Sequence, residues 1–148
     1  MFDYYKLIRN STQLVDAQLL SISATRKEMI EGEISINLKL DRDVSIEDEI
    51  YGQIYLIAIV EGIHEGSKDE VFTLNIKYRG LCKKHNEVSS EKYKKYLYDQ
   101  VVPLLLPYAR ECISESMRRM GLEPFYIPTM DVLSSVKANK EGVLSDDT

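Results

Sequence analysis

The run from Ile50 to Val60 constrains this chain more than any other stretch, because it is apolar on both faces of an extended backbone. Side chains alternate along a strand, so Ile54, Leu56, Ala58 and Val60 share one face while Tyr55, Ile57 and Ile59 share the other. Such a strand belongs at the centre of a sheet, or where a second sheet or subunit packs on it. Its unbroken apolar part, Ile54 to Val60, is far too short to cross a bilayer, which takes about 20 helical residues.

The neighbouring stretches supply partners for it. Ile34, Ile36, Leu38 and Leu40 alternate with Ser35, Asn37 and Lys39, the pattern of a half-buried strand. Leu14 to Thr25 reads as a strand with Leu20, Ile22 and Ala24 on one face and Ser21, Ser23 and Thr25 on the other. Val71 to Gly80 sets Phe72, Leu74, Ile76 and Tyr78 opposite Thr73, Asn75, Lys77 and Arg79. Glu31-Gly32 marks a turn, Asp41 to Glu49 an acidic loop, Gly62 to Asp69 a hairpin loop, and residues 81–90 a link from sheet to helix. Residues 1–13, with Phe2, Tyr5, Leu7 and Ile8, form either a short helix or an extended arm.

The second half changes period. Tyr93, Tyr96, Leu97, Val101 and Leu104 recur at helical spacing, and Pro103 is expected to end or kink that segment. Pro107 suits the first position of a new helix and Gly121 the left-handed residue just past its end. Between them Tyr108, Ala109, Cys112, Ile113, Ser116, Met117 and Met120 form a small and apolar stripe, with Glu111 and Glu115 ahead of Arg118 and Arg119 as the helix dipole prefers. Ala109, Cys112, Ile113, Ser116 and Met117 are the candidate oligomer interface, since small residues let a second copy approach closely. Leu122 to Pro128 is too proline-bound for helix and displays Phe125, Tyr126 and Ile127. Thr129 reads as the N-cap of a second short helix carrying Met130, Leu133 and Val136, followed by a polar, fraying tail at 138–148. Four strands followed by helices is an α+β domain, here a four-stranded antiparallel sheet packed against a long helix and a short one across residues 1–148.

Composition narrows the function. With 148 residues the chain can bury a core without staples, and its N-terminus, Met1-Phe2-Asp3-Tyr4-Tyr5-Lys6, lacks the basic start and apolar run of a signal peptide. A cytosolic protein whose Cys82 and Cys112 stay free thiols is expected. The net charge of −5 is uneven: acids dominate from Lys27 to Glu70 and bases from Lys77 to Lys95, which either solvates those segments or steers a charged partner. Nucleic acid is not the expected partner of an acidic chain without a reading motif. No glycine-rich phosphate loop and no Ser/His/Asp set is present, and the imidazoles are His64 and His85 alone. Cys82-Lys83-Lys84-His85 has metal-ligand spacing but lacks a second pair. Neither metal, cofactor nor enzymatic activity is expected.

One motif carries more than periodicity. Leu105-Leu106-Pro107-Tyr108-Ala109-Arg110-Glu111-Cys112-Ile113, continuing through Arg119 and Gly121 into a Pro-bearing loop, resembles the long-helix motif of the SecB family of export chaperones. The resemblance implies a dimer of dimers that holds unfolded polypeptides, such as preproteins, in apolar grooves without nucleotide hydrolysis. Phe125, Tyr126, Ile127, Met130, Leu133 and Val136 are the candidate client-binding residues, which either line such a groove or fold back as core. In export chaperones of this family, leucine and acidic positions on the first and fourth strands dock the motor SecA. Here Thr73 and Asn75 stand at the fourth-strand positions, and Ala17 to Ser23 is uncharged. Relatives dedicated to the antitoxins of toxin–antitoxin systems share the fold without that surface, and an oligomeric adaptor for one folded partner is the alternative outside the chaperone class.

Overall fold

In a computed structural model of the protein, which describes residues 12–84 and 89–124, four strands precede one long helix. They are β1 (Thr12–Arg26), β2 (Ile34–Ile46), β3 (Tyr51–His64), β4 (Glu70–Lys84) and α1 (Ser90–Arg119). The sheet has the order β1-β4-β3-β2 and is antiparallel throughout. β3 lies inside the sheet, as its two apolar faces require, and β1 and β2 are the edges. The connection between β1 and β2, with Gly32 at a φ of 83°, therefore carries the chain from one edge to the other.

The helix covers one face. Ile54, Leu56, Ala58 and Val60 of β3 are at most 1% exposed and pack in one cluster with Leu74 and Ile76 of β4 and Leu97, Val101, Leu105, Ala109 and Ile113 of α1. Packing is close enough that a Cβ added to Gly52 would stand 2.3 Å from Leu97 Cδ1. Tyr55, Ile57 and Ile59 point to the outer face, where they are half-buried.

Two expectations change. Asp41 to Glu49 is not all loop: β2 runs on to Ile46, with Arg42 opposite Leu56 and Val44 opposite Ile54. The acidic composition is compatible with a strand because the acids fall on alternate positions. Asp41 and Asp43 face outward, while the Arg42 guanidinium stacks 3.9 Å over the Tyr98 ring of α1 and donates to the Tyr98 carbonyl at 3.1 Å. The turn proper is held by the Asp48 carboxylate, which accepts the amides of Tyr51 (2.8 Å) and Ile50 (2.7 Å); those bonds lower its pKa. Likewise β3 runs into the expected hairpin loop as far as His64, and β4 into the expected link as far as Lys84.

The second change is in the helix. Neither Pro103 nor Pro107 ends or starts one; both lie inside a single 30-residue helix. An interior proline removes one backbone bond and crowds the preceding turn. Here the seam of Tyr93, Leu97, Val101, Leu105, Ala109, Ile113 and Met117, each no more than 1% exposed, outweighs that loss. Fully burying one Leu contributes about 1.5–3 kcal/mol, and neither proline is among the fully buried residues. The ends are as expected of capped helices. Ser89 accepts from the Lys92 amide at 3.3 Å, and Gly121, with a φ of 74°, donates to Arg118 while Leu122 donates to Met117, both at 2.9 Å.

Candidate functional site

The two edges of the sheet differ in chemistry. β2 carries Lys39, Asp41, Arg42 and Asp43 along its length, charges that blunt an edge. β1 is uncharged from Ala17 to Thr25, and it is interrupted twice: the pairing with β4 shifts between Leu14 and Asp16 and again between Leu19 and Ser21. Each shift inserts one unpaired residue, Val15 and Leu20, and both are left 51% and 42% exposed. The second shift also breaks the simple alternation read from the sequence: Leu20 is the inserted residue, and Leu19, Ile22 and Ala24 share the helix side, opposite Tyr78, Ile76 and Leu74.

Facing the helix does not bury them. α1 lies over β2, β3 and β4 and barely reaches β1, so Leu19 remains 42% and Ile22 49% exposed. The flank of the helix continues the same apolar shelf. Tyr108, 42% exposed, sits with its ring centroid 6.1 Å from that of Tyr78, and Cys112 follows one turn later within hydrogen-bond reach of the Tyr78 hydroxyl. Burial first, then the Cys112 sulfur and the Glu111 carboxylate, pushes Tyr78 up to about 12, so it presents a neutral hydroxyl. At the far end Arg26 donates to the Met120 carbonyl and closes the shelf against the helix C-terminus. The result is an apolar strip of Leu19, Ile22, Tyr78, Tyr108 and Cys112 beside β1, an edge strand of the sheet among the described residues. Exposed apolar surface next to an edge strand is what an extended polypeptide needs: backbone partners for affinity and side-chain contact without strict sequence.

The residues expected at a site are distributed differently. Ala109, Ile113, Ser116 and Met117 are 0–7% exposed in the single chain, so the protomer's own sheet takes up the surface expected to face a second copy. A stripe of small residues lets a helix approach a sheet as readily as another helix. Cys112 alone of that set is half-buried and borders the shelf. Phe125, Tyr126, Ile127, Met130, Leu133 and Val136, the second short helix and the tail at 138–148 all lie outside the described residues. Cys82 is buried, and that burial pushes its thiol up to about 12, despite an opposing bond from Thr12. Among the described residues no group of three His, Cys, Asp or Glu side chains could hold a metal ion. None of their helices is long and apolar enough to cross a membrane.

The family model described as preprotein translocase subunit SecB matches residues 19–138. The chain belongs to the SecB family. A protein-export protein SecB from Methylocella silvestris is 24% identical over 113 residues, which is 72% of this chain and 70% of that protein. Among solved structures, the SecB-like chaperone of Mycobacterium tuberculosis, in complex with a ChAD peptide from the HigA1 antitoxin, superposes with a TM-score of 0.73 at 18% identity. The match covers 86% of this chain and 96% of the other. The α+β fold is thus the SecB-like one. Within this SecB-family chain, Thr73 and Asn75 lie on the outer face of the sheet, opposite Glu61 and Ile59 on β3 and Thr25 and Ser23 on β1.

Sequence reasoning missed the β1 contribution. The signal was present in Leu14-Val15 and Leu19-Leu20, adjacent apolar pairs that strict alternation cannot place on one face and that bulges accommodate.

Proposed function

We propose that this SecB-family chain is an ATP-independent holdase that binds unfolded polypeptides, such as preproteins, along the β1 edge and the shelf of Leu19, Ile22, Tyr78 and Tyr108. The observation that carries this reading is that half of the large exposed apolar side chains of the described residues, Val15, Leu19, Leu20 and Ile22, belong to one edge strand, which is uncharged from Ala17 to Thr25. Residues Phe125 to Val136 extend the client surface in this reading. The protein acts in the cytoplasm as a dimer of dimers, and light scattering that reports a monomer at micromolar concentration removes the assembly from the proposal.

A dedicated chaperone of one client, such as an antitoxin, is the second reading. Thr73 and Asn75 favour it, because neither is the leucine or acid with which export members of the family dock SecA. The solved relative bound to an antitoxin peptide supports it as well. Binding to a panel of unfolded proteins separates the possibilities. A holdase suppresses the aggregation of many, a dedicated chaperone of one, and an adaptor for a folded partner of none; the last result overturns the proposal.

A further inference from the structure

The connection from β1 to β2, Lys27 to Glu33, has more length than it needs. Three strand spacings separate the two edges of the sheet, about 14 Å, while seven extended residues reach about 24 Å. Its path is therefore set by what ties it down and not by its length. At its end the Glu65 amide donates to the Glu33 carbonyl at 3.0 Å and Gly32 lies against the His64 ring, so this end is held by the β3–β4 hairpin. Midway, Ile30 packs against the core cluster. At its start the Lys27 amide donates to the Val71 carbonyl at 2.9 Å.

Arg26 joins that start to the helix. All three guanidinium nitrogens donate, each to a different backbone carbonyl: Nε to Lys27 at 2.9 Å, Nη2 to Glu28 at 3.4 Å, and Nη1 to Met120. Met120 is the C-cap of α1, and its carbonyl sits at the negative end of the helix dipole, where a cation is favoured. One planar group thus fixes the end of β1, the first residues of the connection and the point at which the chain leaves α1. Leu122, half-buried against the core, then begins the stretch that leads to Phe125. Arg26 is exposed, and water competes for exposed hydrogen bonds of this kind, so they add little to global stability. What they set is local geometry.

We propose that Arg26 is a positioning residue for client binding. In this role, which rests on the holdase reading, it touches no client. It holds β1, with Leu19 and Ile22, and the stretch from Leu122 toward Phe125 to Val136 in one arrangement, so that an unfolded chain meets both parts of its surface already in place. A lysine cannot do the same, because a single ammonium lacks the fork that reaches three carbonyls at once. Without the tie the competent arrangement is one of several, and apparent affinity falls with the fraction of molecules that hold it. The loss belongs to association, since a client once bound meets the same contacts as before.

The test follows the full chain binding fluorescently labelled, reduced and carboxymethylated α-lactalbumin, a permanently unfolded probe, by stopped flow. Arg26→Met keeps the length of the side chain and removes its donors. It is expected to slow association about tenfold, the effect of a competent fraction of roughly a tenth, and to leave dissociation within about twofold of the native rate. Arg26→Lys is expected to fall between. Arg118→Met is the charge control: Arg118 pairs with Glu115 of its own helix at 2.9 Å, so its loss removes the same charge from the same helix end without untying two segments, and should change neither rate. Hydrogen exchange gives a readout without any client. In Arg26→Met the amides of Lys27, Gly121 and Leu122 should exchange faster while those of β3 keep their protection. Association no slower than in Arg118→Met, a loss confined to dissociation, or unchanged exchange at those three amides overturns the proposal. So does an Arg26→Lys chain that matches the native one in both measurements. If Arg26→Met fails to fold, Arg26→Lys makes the same comparison with a smaller expected loss. A native chain that does not bind the probe overturns the holdase reading and the positioning role together, whereas native binding with an indifferent Arg26→Met overturns the positioning role alone.

Discussion

Replacing Leu19 and Ile22 together by Ser tests the client surface at the point where the structure makes it quantitative. Full burial of a large apolar side chain is worth about 1.5–3 kcal/mol. Leu19 is 42% and Ile22 49% exposed, so slightly less than half of that is still available to a bound polypeptide. The pair together therefore offers about 1.5–3 kcal/mol to a client, and losing it should weaken client binding by roughly ten- to more than a hundredfold. The covered halves of the same side chains belong to the fold, and their loss costs a similar about 1.5–3 kcal/mol of a stability that is ordinarily about 5–15 kcal/mol. The variant should consequently remain folded, with a lowered urea midpoint, while its suppression of aggregation of an unfolded client collapses. Met29→Ser is the matched control: Met29 is 72% exposed but lies in the β1–β2 connection, off the shelf, and its loss should change neither property. Undiminished suppression by the folded double variant, or an equal defect from Met29→Ser, would refute the reasoning.

Two further outcomes concern the fold. Gly52→Ala pushes a methyl group to 2.3 Å from Leu97 Cδ1, whose side chain is fully buried, and is expected to lower stability by about 1–3 kcal/mol in urea titration; an unchanged midpoint would mean that α1 does not seat closely on β3. For pH, the Cys82 thiol is raised from 9.0 to about 12 by burial, so above pH 9 the unfolded chain gives up a proton that the fold retains. Stability from this group is complete below pH 9 and falls as pH rises toward 12, with Tyr78 adding to the slope from 10.0 upward. Urea midpoints across this range should decline in the native chain and decline less steeply in Cys82→Ala; a flat native profile would contradict the burial of the thiol.

How legible all this was in the sequence depended on whether a local pattern had one physical cause or two. The two-faced apolarity of Ile54 to Val60 admits few solutions, and β3 lies inside the sheet accordingly. Gly121 was readable because the left-handed position it fills penalises every side chain. Pro103 and Pro107 misled because their local penalty is certain, whereas the compensating burial of Val101, Leu105 and Ala109 depends on a sheet far away in sequence. The burial of Ala109 to Met117 against the sheet was not legible for a related reason, since periodicity shows that a helix has an apolar side and says nothing of what covers it. The exposure of Leu19 and Ile22 was not legible either: their pattern is that of buried strand residues, and only the limited reach of α1 across the sheet leaves them in water.

The two irregularities in β1 also bear on how a protein proposed to hold unfolded chains would keep from becoming a seed for them. A long, regular, uncharged edge would template strand upon strand, and a client laid along it could recruit the next. The ladder of β1 is instead cut at Val15 and Leu20, leaving regular stretches from Thr12 to Leu14, from Asp16 to Leu19 and from Ser21 to Arg26. An added strand finds at most a few backbone partners before the register fails. In the proposed holdase reading, contact is thereby kept short and reversible, and the strand that would take up an unfolded chain is also the one least able to propagate it.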